Sequence, residues 1–477
     1  MENNEMNING EIELSSDPVI NNIKEYTVPD GEYVLELIDG KNFSRIRELT
    51  EAMAPQDIAE LFLDIPSEYH TRLFRLLSKE LAAETFVEMD GEITEELIAS
   101  FTDRELSEIL AELYIDDTVD IIEEMPANVV KRILRASTKE DRSTINKILC
   151  YPKDSAGTIM TTEYVRFVGD MTVEAALSHL RRVAIDKETI YTCYITDAAL
   201  HLLGIVTAKQ LLISPLDTKL SDLMEESVIS VKTTDDKEEV ALKFNKYGFL
   251  ALPVVDNELR LVGIVTVDDA IDVLQSESEE DFSKMAAVTP TDEPYTRTSP
   301  FSLFLARIPW LLLLMVSATF SSTILSKFEA ALPAVLILFV PMLMGTGGNS
   351  GGQSSVAIIR GISLGEIEGR DTLGVVFKEF IVGVLAGVAL GIVSFAKVLL
   401  IDRLLMQNDA VTVHVAFTVS VALAVIVVIA KLIGATLPIL AKRLHIDPAV
   451  MASPFITTVV DALALVLYFF VAKALLI

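Results

Sequence analysis

Cysteine is scarce in this sequence of 477 residues, and several familiar motifs are missing. Cys150 and Cys193 are the only cysteines, and neither belongs to a Cys-x-x-Cys or Cys/His pattern. We therefore expect neither a disulfide framework nor a structural zinc site. The sequence also lacks a P-loop, a metal-hydrolase motif and the pattern of a catalytic triad, so we do not expect an enzyme.

Positive charge is also in short supply. The chain has 39 Lys and Arg against 69 Asp and Glu, a net charge of −30, and the acidic excess lies before Phe301. Nucleic acid and anionic lipid surfaces are themselves negative, which argues against binding to either. An acidic surface favours cations as partners, although it could also serve only solubility.

The N-terminus lacks a basic region followed by an apolar run, so it does not predict a signal peptide. Residues 1–31 are rich in Asn and Glu, and we expect them to be disordered. The soluble part that follows is expected to lie in the cytosol.

Long apolar runs fill the sequence from Phe301 onward. About 20 apolar residues are needed to cross the hydrocarbon of a bilayer. Five segments of residues 301–477 meet this requirement, at about 303–326, 331–356, 374–400, 414–441 and 449–476. The basic residues that flank them modestly favour a cytoplasmic N-terminus and an outside C-terminus, as in a multi-pass protein of a bacterial inner membrane.

The second span contains an unusual run, Pro341-Met-Leu-Met-Gly-Thr-Gly-Gly-Asn-Ser-Gly-Gly-Gln353. Glycines allow close helix approach and broken helical geometry, and the amides of Asn349 and Gln353 could bind a hydrated ion. The glycines alone, Gly348 among them, would equally suit a packing face. The amides favour a pore.

Asp461 lies within the fifth span, and Thr457 precedes it by one helical turn. A carboxylate inside a membrane is costly unless it faces water, a partner or an ion, so we predict that Asp461 lines a pore. In a two-fold dimer, two such carboxylates would face each other. This arrangement suits Mg²⁺, which keeps several waters and is commonly held by one or two carboxylates.

The soluble part divides into a helical domain and a repeat. Residues 32–150 have apolar positions at helical spacing and predict stacked helical hairpins. Asp116 and Asp120 lie on one face of a helix there, and taken alone they are best explained by N-capping and a solvated face. In residues 151–275, Leu203-Gly-Ile-Val-Thr recurs as Val262-Gly-Ile-Val-Thr 59 positions later.

This repeat resembles a tandem pair of cystathionine-β-synthase-type (CBS) domains, at about 151–215 and 216–275. Such modules often bind adenosine nucleotides, and a Thr-x-x-Asp after the last strand commonly holds the ribose. The second copy has this motif as Thr266 and Asp269, whereas the first has Gln210 in place of the Asp. Residues 276–300 form an acidic connection to the first span, which could be a solvated linker or a coupling helix.

The order of these parts, together with Pro-x-x-x-Gly-x-Gly-Gly-Asn-x-Gly-x-Gln and Pro-Phe-x-Thr-x-x-x-Asp in the spans, resembles the MgtE family of magnesium transporters. The resemblance implies a multidomain membrane protein with an all-α superhelical N-terminal domain, an α/β CBS pair and an α-helical domain of five spans. It also implies a homodimer with its pore on the two-fold axis and a plug helix at about 276–300.

Further site residues follow from this resemblance. The implied pore residues are Asp461, Asn349, Thr457, Ala464 and Gly348, where Ala464 replaces a glycine frequent in the family. The implied Mg²⁺ ligands are Asp461, Asp447, Glu84, Asp116, Asp120, Asp236, Glu238, Asp269, Asp272, Glu277, Glu280 and Asp281. Some family members bind ATP, for which Lys209, Phe249 and Thr266 are the candidates here.

The expected function is thus a channel for Mg²⁺ uptake that closes when cytosolic Mg²⁺ binds between the acidic N-terminal, CBS and plug elements. Two alternatives remain open. One is a cation-coupled carrier of Mg²⁺ or Co²⁺, and the other is a membrane-anchored nucleotide sensor that transports nothing.

Overall fold

The computed structural model describes residues 28–291, 295–296, 298–329, 333–451 and 453–476. The predicted disordered segment 1–31 lies almost entirely outside these residues. The chain divides into two compact units. The first comprises the residues up to Val240 together with Phe249–Val267, and the second comprises Ala241–Gly248 and the chain from Asp268.

Residues 28–150 of the first unit form ten short helices. They are α1 (Gly31–Asp39), α2 (Phe43–Thr50), α3 (Pro55–Asp64), α4 (Ser67–Phe74), α5 (Lys79–Val87), α6 (Gly91–Ser100), α7 (Asp103–Leu110), α8 (Ile115–Glu124), α9 (Ala127–Ala136) and α10 (Lys139–Ile148). Pro55 occupies the first turn of α3, where its missing N–H removes no helical bond. Thr102 and Glu105 form a reciprocal capping box at α7.

These helices pack in an alternating pattern, in which α3 contacts α5, α4 contacts α6, and α7 contacts both α5 and α9. A row of aromatic rings fills the centre of the stack. Phe74 packs against Phe62, Phe86 and Phe101 with ring centroids 5.1–6.4 Å apart. The helical N-terminal domain expected from the sequence is confirmed.

The two repeat copies fold alike, which confirms the expected CBS pair. In the first copy, a sheet of β1 (Arg166–Val168), β2 (Thr192–Thr196) and β3 (Leu202–Thr207) accompanies α11 (Val173–Val183) and α12 (Ala208–Ile213). The short helix α13 (Leu220–Leu223) follows at the start of the second copy. In the second, a sheet of β4 (Val231–Lys232), β5 (Ala251–Val255) and β6 (Leu261–Thr266) accompanies α14 (Lys237–Tyr247). Each sheet has one parallel and one antiparallel pairing.

The repeated methionine and glycine positions explain how the copies join. A Cβ on Gly204 would lie 2.9 Å from the sulfur of Met224, and one on Gly263 would lie 2.7 Å from the sulfur of Met160. Each copy therefore places its leading methionine against the glycine of the other copy. Backbone bridges Thr161↔Ile264 and Ile205↔Glu225 accompany these contacts. Glycine is required at both positions because any side chain would occupy the space of the methionine.

After Ala241–Gly248, the second unit continues with most of α15 (Val267–Met285), a helix that starts directly at the end of β6. Further helices follow: α16 (Pro300–Glu329), α17 (Ala334–Ile337), α18 (Val340–Ser363), α19 (Thr372–Lys397), α20 (Val413–Arg443) and α21 (Ser453–Leu475). Five helical segments of the described chain are long and apolar enough to cross a membrane. The five apolar helices expected from the sequence are thus confirmed, and each is long enough to span a membrane.

Helix α20 is the centre of the membrane unit, where it contacts α18, α19 and α21. Its inner side chains join α18 and α21 in an apolar cluster that includes Leu343, Val419, Ile426 and Tyr468. The second span is interrupted at Leu338 and Phe339, between α17 and α18. The span therefore supplies two helices, and the glycine-rich run lies in the second of them.

Candidate pore and cytoplasmic mouth

The glycines of α18 bring this helix against its neighbours. A Cβ on Gly347 would lie 2.8 Å from a methyl of Ile426 on α20. A Cβ on Gly351 would lie 2.9 Å from a methyl of Ile456 on α21. These two glycines thus form a packing face, which was one of the two interpretations of the run.

A different face of α18 is not covered by the other described helices. Pro341, Gly345, Asn349 and Gln353 are all exposed, and their spacing of four residues places them in one stripe along the helix. A Cβ on Gly345 would meet nothing within 4 Å. We call these four residues the α18 stripe. It presents two amides and little side-chain bulk, which is compatible with a pore lining; that second interpretation of the run stays a prediction.

Asp461 lies beside the same helix. A Cβ on Gly348 would lie 2.8 Å from Thr457 Cγ2 and 3.5 Å from Asp461 Oδ1. Asp461 as a whole is half-buried, and its Oδ1 is shielded without a hydrogen-bond partner among the described residues. Such an atom is costly in an apolar surrounding unless a cation or water reaches the carboxylate. Gly348, Thr457 and Asp461 therefore lie side by side, and their pore role stays a prediction.

Ala464 is placed differently from these three residues. It is 2% exposed and belongs to the apolar cluster with Leu343, Leu465 and Tyr468. Within one chain, its methyl group fills the core between helices. Its predicted pore role stays a prediction.

Near the cytoplasmic end predicted for the spans, α15 is held to the membrane helices by charge. Lys284 Nζ lies 2.6 Å from Asp447 Oδ2 and 2.5 Å from Glu280 Oε1. Ser363, at the end of α18, donates a hydrogen bond of 2.7 Å to Asp281 Oδ2. We call Glu280, Asp281, Lys284, Ser363 and Asp447 the mouth cluster. It brings together three predicted metal ligands.

The electrostatics of the mouth cluster follow from these contacts. Burial alone would lower the pKa of Lys284, but its hydrogen bonds to Asp447 and Glu280 outweigh burial and raise the pKa above its usual range. Burial is the main cause that raises the pKa of Asp281, and the charge of Asp447 adds to it. The sequence analysis did not single out Lys284. Its position one turn after Glu280 is the only signal of its role.

The other predicted metal ligands are more dispersed. Glu84 and Asp120 are exposed, whereas Asp116 is 6% exposed. Asp236 accepts a hydrogen bond of 2.9 Å from the backbone of Glu238 at the start of α14. Asp269, Asp272 and Glu277 lie on α15. Burial raises the pKa of Asp272, with a contribution from Asp268. No group of three or more His, Cys, Asp or Glu in the described ranges forms a preformed metal cluster.

The candidate nucleotide residues lie in the CBS pair. Lys209 is exposed in the first turn of α12, Phe249 is half-buried before β5, and Thr266 is buried at the end of β6. Their role in binding ATP stays a prediction.

Two charged residues inside the spans were missed by the sequence analysis. Lys431 lies in α20 and is only 7% exposed, and Glu379 lies in α19. Both could have been found by the rule that identified Asp461, because ionisable residues are rare within membrane spans.

Comparisons with known proteins agree with this architecture. The profile of the divalent cation transporter MgtE matches residues 340–471, that of the MgtE intracellular N domain matches 53–154, and that of the CBS domain matches 220–276. The magnesium transporter MgtE of Thermus thermophilus is 38% identical over 437 residues, which cover 90% of this chain and 95% of that protein. The chain belongs to the MgtE family.

A second MgtE relative, the magnesium transporter of Bacillus subtilis, is 31% identical over 92% of this chain and 96% of its own length. Among solved structures, the cytosolic domain of the Mg²⁺ channel MgtE in complex with ATP is 36% identical. It covers 51% of this chain and 99% of its own, with a TM-score of 0.49.

The close contact at Gly348 predicts a packing defect in the variant Gly348→Ala. The new methyl would collide with Thr457, so we expect a loss of about 1–3 kcal/mol in stability, as for other overpacked sites. The matched control on the same helix is Gly345→Ala, because space is open there. Thermal unfolding midpoints of the purified protein in detergent compare the two. Equal midpoints would show that α18 and α21 are not in contact at Gly348.

The ion pairs of Lys284 predict a second measurable effect. In Lys284→Met, the end of α15 loses its attachment to Asp447. The amide hydrogens of residues 276–285 should therefore exchange faster. An ion pair worth about 1.4 kcal/mol corresponds to a tenfold increase in the exchange rate. Lys442→Met is the control, because Lys442 is exposed. Hydrogen exchange measured by mass spectrometry separates the two variants.

The pH dependence of this contact has a definite sign. A lysine whose folded pKa is raised adds stability that is complete below the unfolded value of about 10.4 and is lost only as pH rises through the folded pKa. Lys284 should therefore give the same protection at pH 6.5 and pH 8.5 after correction for intrinsic exchange. A Lys284-dependent loss of protection within this interval would contradict the ion-pair assignment.

Proposed function

We propose that this protein is a Mg²⁺-selective channel of a bacterial inner membrane, with its N-terminus in the cytosol and its C-terminus outside. It conducts Mg²⁺ into the cell down the electrochemical gradient of the ion. The single observation that carries the proposal is the carboxylate of Asp461, which lies within a membrane span beside Gly348 and has a shielded oxygen without a partner in the described chain.

The chemistry of Asp461 favours a hydrated divalent ion. A carboxylate at the centre of a membrane helix costs several kcal/mol unless something compensates its charge. Mg²⁺ does so through its charge, and the waters that it retains can bridge to Thr457 and to the amide of Asn349. Because one chain contributes only one such carboxylate, we infer a homodimer in which two copies of Asp461 face each other across the two-fold axis.

The exposed α18 stripe supports the same arrangement. Its side chains are small or carry amides, which leaves room for an ion with its water shell beside Asn349 and Gln353. Amide oxygens suit Mg²⁺, whereas a wholly apolar stripe would suit only lipid. The two MgtE relatives are both magnesium transporters, which favours this cation among the divalent ions.

We further propose that cytosolic Mg²⁺ closes the channel by binding between acidic elements. Two unit charges about 6 Å apart in water interact by only about 0.7 kcal/mol, whereas a shift from mostly open to mostly closed requires about 5.5 kcal/mol of differential binding. Screened repulsion is therefore too weak, and several bound ions are needed. No single preformed cluster exists in the described residues, so each regulatory ion would be shared between elements or between copies.

The conduction proposal predicts the behaviour of Asp461→Asn. Mg²⁺ flux into liposomes with low Mg²⁺ on the cytosolic face should fall at least tenfold, because the ion loses its charged ligand, worth about 1.4 kcal/mol or more. Asp409→Asn, which changes an exposed aspartate, is the control and should conduct like the wild type. Equal flux through Asp461→Asn would refute the pore assignment.

The same liposomes distinguish a channel from a coupled carrier. A channel responds to the Mg²⁺ gradient and the membrane potential alone. A carrier would need a gradient of Na⁺ or H⁺ to move Mg²⁺, and its flux would stop when that gradient is collapsed.

The gating proposal predicts the behaviour of the triple variant Asp269→Asn, Asp272→Asn, Glu277→Gln. It should conduct even at a cytosolic Mg²⁺ concentration that closes the wild type, because three ligands of the closed state are lost. The control is the variant Glu51→Gln, which changes an exposed carboxylate of the N-terminal domain that is not among the implied ligands and should leave closure unchanged. Closure of the triple variant at the wild-type concentration would exclude α15 as the place of regulation.

A further inference from the structure

A second set of ionisable groups lies inside the membrane unit, apart from Asp461. Lys431 sits within the apolar helix α20 and is 7% exposed. An ammonium group in such a position needs a partner, because a buried and unpaired charge is strongly unfavourable. Neither the proposed conduction path nor the mouth cluster uses this residue.

The partner of Lys431 is a serine on the glycine-rich helix. Lys431 Nζ donates a hydrogen bond of 3.3 Å to Ser354 Oγ on α18. Ser354 in turn donates a hydrogen bond of 2.6 Å to Glu379 Oε2 on α19. A hydroxyl can accept one hydrogen bond and donate another, so Ser354 joins the ammonium to the carboxylate. Three helices are thus connected through one hydroxyl group.

Glycines make room for this connection. A Cβ on Gly383, one turn after Glu379 on α19, would lie 3.6 Å from Cβ of Lys431 and 3.2 Å from Cα of Val428. A Cβ on Gly434 would collide with the carbonyl oxygen of Gly351, so α18 and α20 are also in close backbone contact. Both approaches bring Lys431 and Glu379 within reach of Ser354.

The connection lies on a different face of α18 from the α18 stripe. Ser354 is 2% exposed, whereas its neighbour Gln353 is exposed. A fixed ammonium directly in a path for divalent cations would repel them. The burial of Lys431 among three helices instead suits a role in holding α18 at a set rotation and height.

We propose that Lys431, Ser354 and Glu379 form an intramembrane ionic clamp that positions α18, and with it the amides of Asn349 and Gln353, for ion conduction. These are positioning residues, because they lie away from the stripe. The inference rests on the proposed function, since it assumes that the α18 stripe faces the ion. The clamp itself is a property of the fold and can be measured separately.

The charge pair makes an unusual prediction for variants. Removal of Glu379 leaves the ammonium of Lys431 buried without its compensating charge, and removal of Lys431 leaves a half-buried carboxylate uncompensated in the span. Removal of both leaves an apolar and amide contact. Lys431→Met and Glu379→Gln should therefore each be more harmful than the double variant that carries both changes. Two residues that acted independently would show additive effects instead.

The test measures Mg²⁺ flux into liposomes and the thermal unfolding midpoint in detergent for the wild type, both single variants and the double variant. We expect each single variant to lose at least tenfold in flux, and the double variant to return to within about threefold of the wild type. Ser354→Ala keeps both charges but removes the hydroxyl that joins them, so it should also lower flux. The control is Lys378→Met, which removes an exposed charge next to Glu379.

The outcomes separate the clamp from the proposed function. If the wild type does not conduct Mg²⁺, the proposed function fails, but the midpoints still decide on the clamp: non-additive midpoints establish it and additive midpoints exclude it. If midpoints recover in the double variant but flux does not, the clamp holds the fold without positioning the pore, and the inference is overturned. A double variant as impaired as the sum of its single variants overturns it as well. A single variant that does not fold, beside a double variant that does, supports the clamp.

Discussion

Lipid cannot hydrogen-bond a polar group, and this constraint shapes the membrane unit more than any other. Every charged or polar atom inside the spans must find a partner in the protein, in water or in an ion. Lys431 and Glu379 satisfy it internally, through Ser354. Asp461 differs, because its Oδ1 is shielded and has no hydrogen-bond partner in the part of the chain that the structure describes. It is the one such carboxylate oxygen in the described part of the spans. The ion conduction that we propose uses that difference.

Helix α18 contacts several neighbours at once because its glycines let adjacent helices approach closely. Gly347 and Gly351 bring it against α20 and α21, and Gly348 brings it against Asp461. The α18 stripe remains open, and Ser354 reaches two charges on another face. A helix with ordinary side chains at these positions could not approach three neighbours and still leave one side free, since packed interiors have no space for additional carbon atoms.

Charge links α15 to the membrane helices in the same unit. Lys284 lies among carboxylates from α15 and from the segment before α21, so a single ammonium offsets part of their mutual repulsion. This arrangement gives the acidic helix a defined attachment near the mouth. A divalent ion that enters the cluster would compete with the lysine for the same carboxylates, which links the contact to the gating that we propose.

The sequence alone determined the five spans, the CBS repeat and the acid in the last span, because each depends on local composition or on a pattern that can be counted along the chain. It also indicated that the glycine-rich run of α18 has an unusual composition, but not which of its faces packs against neighbouring helices and which stays exposed. Only the tertiary structure decided that Ala464 packs in the core and that Met160 packs against Gly263 of the other repeat copy. It also decided that Lys284 pairs with Asp447 and that Lys431 donates a hydrogen bond to Ser354. These contacts join residues far apart in sequence, and which side chains meet is fixed by how the helices pack rather than by any local preference.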